Sequence, residues 1–159
     1  MEKKYRLLEN DTITLGDKTL YRIEALKDFV VVKKGEKGGY VEKEDNLSHD
    51  GNCWVFDDAR VYGDARVYGG VYVASNARVY GNAQVYDNAR VYDNAQVYDN
   101  ARVFDKAWVT GNARAFGDAR VYGDAHVTDD ACIADNALVL GNALVCGNMR
   151  IHEGEVTSK

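Results

Sequence analysis

From Gly51 to His152 the chain is a six-residue unit repeated seventeen times without insertion, as in NARVYGNAQVYDNARVYDNAQVYDNARVF over 76–104. With position 1 set at Gly51, Asp57, Gly63 and onward, position 1 is Gly nine times, Asp seven times and Ser once. Position 2 is Asn or Asp in fifteen units, with Gly70 and Lys106 the exceptions. Position 3 is Ala in fourteen units, and position 5 is Val in fourteen. Internal repetition at a fixed short period outranks every other fold signal. Gly, Asn and Asp tolerate positive φ, so positions 1 and 2 turn a corner. Positions 3 and 5 alternate with 4 and 6, giving a short strand with one apolar face. A strand so short cannot bury that face alone and must stack on copies of itself, which predicts a solenoid.

Composition agrees. The 159 residues are 46% hydrophobic and 28% charged, enough apolar content to form a core, and the columns are too regular for disordered low complexity. Proline is absent, as suits a chain that uses nearly every amide N–H. The net charge of −5 argues against binding along extended nucleic acid. No apolar run is long enough to span a membrane, and the first residues carry no secretory signal. Three cysteines without CxxC spacing (Cys53, Cys132 and Cys146) exclude a disulfide framework or a structural zinc site, and a reducing cytoplasm is expected.

The repeat resembles the hexapeptide-repeat, left-handed parallel β-helix family, whose pattern is an aliphatic residue followed four later by a small one, as in Val61 and Ala65, Val79 and Ala83, Val97 and Ala101. The resemblance covers two-thirds of the chain. It implies an all-β triangular coil of three units, 18 residues per turn, about 4.8 Å per coil and so roughly 27 Å long. The expected organisation is a β-rich cap over 1–38, a helix over 39–152 and a frayed tail over 153–159. In the cap, TITLGDKTLYRIEAL reads as two strands about Gly16-Asp17, and DFVVVKKGEKGGYVE as a third strand and a Gly-rich turn. The register extends upstream through 45–50 and 39–44, placing Leu47 and Val41 on apolar columns, while Met149 is expected to plug the last coil. Cap and lead-in are similar to uncharacterised hexapeptide-repeat proteins of bacterial and phage genomes, which bring no established activity.

Residues 18 apart share a column. One face carries Arg60, Arg78, Gln96 and Arg114 beside Tyr62, Tyr80, Tyr98 and Phe116. A second carries Arg66, Gln84, Arg102 and Arg120 beside Tyr68, Tyr86, Phe104 and Tyr122. The third is irregular, with Trp54, Tyr72, Arg90, Trp108 and His126. The Arg and Tyr ladders either hold the prism together through stacking and pairing with corner Asp side chains, or form a flat binding surface. Guanidinium forks suit phosphate and rings suit bases, so a partner protein (a host protein among them) or a small anion is the expected partner. Near the C-terminus Cys132, Ala134, Leu138, Leu140, Leu144 and Cys146 form an outward apolar girdle. A homo-oligomer, a trimer or dimer, is expected to use Leu138, Leu140, Leu144 and Cys146.

Relatives with this repeat include acyltransferases. The resemblance implies a histidine base, an extruded loop and acyl-CoA as substrate at a subunit interface. Here no loop interrupts the units, and His126 is the one mid-prism histidine. His49, His126 and His152 are too far apart in the repeat for the zinc-binding histidine trio of the carbonic anhydrase branch. A non-catalytic binding or scaffold role without a cofactor is therefore favoured over an acyltransferase.

Overall fold

The computed structural model describes residues 2–157 and is all-β apart from one 3-10 turn at Glu44–Asn46. Each repeat unit contributes one two-residue strand, positions 4 and 5, from Trp54–Val55 to Arg150–Ile151. Strands 18 residues apart pair in parallel, as in Arg60↔Arg78, Arg66↔Gln84 and Trp54↔Tyr72, so the chain winds into three sheets of nine, six and six strands. The expected 18-residue parallel β-solenoid is the fold.

The corner chemistry sets this winding. In all seventeen units the position-1 residue has positive φ, from 55° to 77°, whether it is Gly, Asp or Ser. The position-3 N–H closes the turn on the carbonyl three residues back, as in Ala77 N–H to Ala74 O at 3.2 Å. A non-glycine residue in this region is strained by roughly 1–2 kcal/mol. Asp offsets that strain here: Asp99 Oδ2 accepts the Gly117 N–H one coil on at 3.1 Å, and Asp57, Asp87, Asp93, Asp105 and Asp129 do the same. Inside, the Ala column from Ala59 to Ala143 and the Val column are buried throughout. Ala stands where the chain enters from a corner and the walls are closest; Val fills the wider space beyond.

The cap is a hairpin of β1 (Tyr5–Leu15) and β2 (Lys18–Ala25) about Gly16-Asp17, as expected. It is followed by β3 (Lys37–Val41), antiparallel to β2 and parallel to Arg60–Val61, so one strand joins cap and solenoid in a single sheet. At Gly38 and Gly39 an added Cβ would fall on the carbonyl oxygens of Val55 and Ala59, so only glycine lets this strand close over the first coil.

Four expectations are corrected. The DFVVV segment is no strand: Phe29 and Val32 bridge across a tight turn in which Val30 has φ of 45°, leaving Val30 and Val31 exposed. The upstream register is offset. Val41 pairs with Val61 and Leu47 with Val67, each 20 apart, whereas Trp54 pairs with Tyr72, 18 apart, so two extra residues lie between Leu47 and Val55. The tail does not fray from 153: Glu155–Val156 pairs with Leu138–Val139 at a 17-residue offset, with Gly154 (φ 80°) making the shortened corner. Residues 158 and 159 of that expected tail lie outside the described residues. Met149 plugs nothing, since it is 46% exposed.

Gly39→Ala is expected to destabilise the protein by about 1–3 kcal/mol through overpacking at the first coil. Gly147→Ala, where no atom stands within 4 Å of the added Cβ, retains only the cost of positive φ. Urea melts of the two variants should show the larger loss for Gly39→Ala; equal losses would refute the close-approach account.

Candidate functional site: two guanidinium rows and a third, irregular face

The solenoid places the expected columns together. Arg60, Arg78, Gln96 and Arg114 are successive partners on one face, and Arg66, Gln84, Arg102 and Arg120 on another. Beside them the rings stack: Tyr62, Tyr80, Tyr98 and Phe116 have centroids 4.9–5.0 Å apart within 4° of parallel. Tyr68, Tyr86, Phe104 and Tyr122 stack at 4.8–5.0 Å. Each ring therefore covers the faces of its neighbours, and the rows offer edges and hydroxyls outward. The ring faces between successive coils are therefore taken up by the stack itself.

Where the next coil carries glutamine, the hydroxyl is tied into it. Tyr68 donates to Gln84 Oε1 at 3.2 Å, and Tyr80 to Gln96 Oε1 at 3.0 Å. Burial raises the pKa of Tyr62 and of Tyr98, with the facing Arg78 and Arg114 opposing it. Tyr62 is 9% exposed and packs with Leu20 and Tyr40 under the cap hairpin, so it leaves the exposed set.

The guanidinium groups behave differently. Among the described residues, Arg60, Arg66, Arg78, Arg102, Arg114 and Arg120 have no carboxylate within 4 Å. The pairing with corner aspartates that would have made them structural does not form. Six of the seven position-1 aspartates accept backbone N–H groups and Asp135 lies against His152, while at position 2 Asp58 faces Arg22 and Asp64 faces Lys43. Alongside Arg78 and Arg114 the corner carries neutral Asn76, Asn94 and Asn112, with Asn94 bonded to Asn112 at 3.3 Å.

On the third face Trp54 is buried against Tyr5 and Phe29 beneath the cap, not exposed as its register suggested. Above it Arg90 lies between Tyr72 and Trp108, at 5.2 and 5.6 Å from the ring centroids. His126 stacks on Trp108 at 4.8 Å and is exposed, and among the described residues its ring has no hydrogen-bond partner that would set it as a base.

Sequence reading treated His49 as a lead-in residue, yet the two-residue insertion folds it under the cap. It stacks on Tyr5 at 4.2 Å, its Nδ1 accepts the Lys4 N–H at 3.1 Å, and Nε2 lies 2.9 Å from Glu44 Oε1. Burial works to raise the Glu44 pKa, but hydrogen bonds from His49 and Lys3 outweigh it and hold the carboxyl below its usual value. Lys4, itself buried, donates to the Gly51 and Cys53 carbonyls at 3.2 and 2.7 Å; burial lowers its pKa and raises that of the Cys53 thiol. Both ring nitrogens of His49 are engaged, so this cluster pins the cap. No group of three or more metal-ligating side chains occurs among the described residues.

The C-terminal girdle is largely covered. Ala134 is buried, Cys132, Leu138, Leu140 and Cys146 are half-buried with Leu140 hydrogen-bonded to the tail strand, and Leu144 alone of the set is exposed, at 44%.

These features define a hexapeptide-repeat β-solenoid. Residues 59–73, 83–96 and 95–111 match the family model described as YdcK beta solenoid repeat, in agreement with the resemblance read from the sequence. The chain is also 33% identical over 66 residues to a protein of Escherichia coli (strain K12) named uncharacterized acetyltransferase YdcK, a match covering 37% of this chain and 20% of that protein. The matched part therefore spans about a fifth of the relative's length.

Proposed function

We propose that this protein is a non-catalytic binding platform whose two guanidinium rows engage an acidic surface of a partner protein. One observation carries the reading: in a chain of net charge −5, the arginines of both rows have no carboxylate within 4 Å among the described residues, while six position-1 aspartates accept backbone N–H groups of the next coil. The arginines are held one or two coils apart on a hydrogen-bonded backbone, which limits the backbone ordering that accompanies binding. An array of this kind suits charge complementarity, which sets partner choice and association rate more than raw affinity.

The double substitution Arg78→Ala with Arg114→Ala is expected to weaken binding of a poly-glutamate probe about two- to thirtyfold at low salt, from two charge contacts of roughly 0.2–1 kcal/mol each. Isothermal titration reads this directly. Absence of binding by the unsubstituted protein, or indifference to the double substitution, would contradict the proposal.

The similarity to a relative named as an acetyltransferase supports a second reading, acyl transfer with His126 as base and acyl-CoA as substrate. The exposed, unpartnered His126 ring and the uninterrupted units weigh against it. A thermal-shift titration with acetyl-CoA separates the two: any rise in Tm is expected to persist in His126→Ala, whereas a rise that His126→Ala abolishes would favour the acyltransferase.

A further inference from the structure

Two kinds of departure from the repeat fall side by side on the third face. Both exceptions at position 2, Gly70 and Lys106, fall in one corner column on either side of Asn88. Of the three aromatic residues at position 4, Trp54 lies under the cap, and Tyr72 and Trp108 fall in the adjacent column on either side of Arg90. Places where a locally consistent sequence breaks its own rule are where function is expected. Here the breaks line one open groove of about 410 Å³, bounded by Gly70, Tyr72, Asn88, Arg90, Lys106 and Trp108.

The chemistry of this groove is specific. Arg90 is held between two aromatic rings, which fixes its plane and leaves its N–H edge as the free part. Neither Arg90 nor Lys106 has a carboxylate within 4 Å among the described residues. The carboxylates of Asp87 and Asp105 at the same corner accept the N–H groups of Asp105 and Gly123, and Asp124, next in the column after Lys106, makes no ion pair with it. Gly70 contributes no side chain where the other units carry Asn or Asp, or the Lys106 ammonium, so this corner is open. The ring faces are occupied by Arg90 and His126, so no planar group stacks there.

We infer that this groove on the third face binds the phosphate group of a small phosphorylated molecule, with Arg90 as a pre-set fork, Lys106 as the second cation and the Asn88 amide beside them. A phosphomonoester brings close to two negative charges and three strong acceptor oxygens, matching two cations and an amide better than a single carboxylate would. The site lies on a different face from the guanidinium rows and does not depend on their role.

The test is isothermal titration of the full chain with pyrophosphate at low ionic strength, with melting curves to confirm that each variant is folded. Lys106→Ala and Arg90→Gln are each expected to weaken binding about tenfold or more, as for charge-assisted contacts. Arg90→Lys should weaken it too, since an ammonium lacks the planar fork. Lys33→Ala, on the cap turn, should leave it unchanged. No measurable binding, or binding indifferent to Arg90 and Lys106, overturns the inference. So does binding that only Arg78→Ala with Arg114→Ala removes, which would place the anion on the guanidinium rows.

Discussion

The hydrogen bond from a corner N–H to the coil beside it is the contact on which the rest depends. Each unit must turn a corner from one sheet to the next within two residues, and position 1 lies in the left-handed region in all seventeen units. Glycine meets that demand without strain, and aspartate meets it by accepting an N–H from the following coil. The alternation of Gly and Asp at one position is thus a choice between two ways of stabilising the same corner. Its electrostatic consequence reaches the outer faces: carboxylates used for capping are not available to neutralise the arginines three residues on.

Much of this was legible in the sequence because the period is strict. A repeat of six, folded in threes, puts Arg60 beside Arg78 and Tyr62 beside Tyr80 with no freedom left. What the columns could not convey was how the side chains share their surfaces. Ring stacking at about one coil spacing covers the tyrosine faces, and the cap covers Tyr62 and Trp54. Both depend on contacts between segments whose order along the chain is uninformative.

The ends were harder to read for a related reason. The repeat supplies no signal where it stops, so the two extra residues before Val55 and the one missing before Glu155 pass unnoticed among Gly, Asn and Asp. The insertion matters: it carries His49 onto Tyr5 and Glu44 and fastens the cap. The irregular third face was visible as irregular, but only the fold shows that its Gly70, Lys106, Tyr72 and Trp108 surround a single groove. The regular faces and the irregular one thereby differ, the former carrying extended rows of guanidinium groups and the latter an open groove.

The central claim is that the arginine rows are held by the prism rather than holding it. Thermal melting of Arg102→Gln, at low and high salt, tests this most directly. Arg102 stands between Gln84 and Arg120, and a glutamine there could accept from Tyr86 as Gln84 accepts from Tyr68. The account predicts that Arg102→Gln melts no lower than the unsubstituted protein at low salt, and that any gain shrinks as salt screens the Arg102–Arg120 repulsion. A clearly lower melting temperature, unchanged by salt, would show that the guanidinium group is a structural part of the solenoid and would contradict the account.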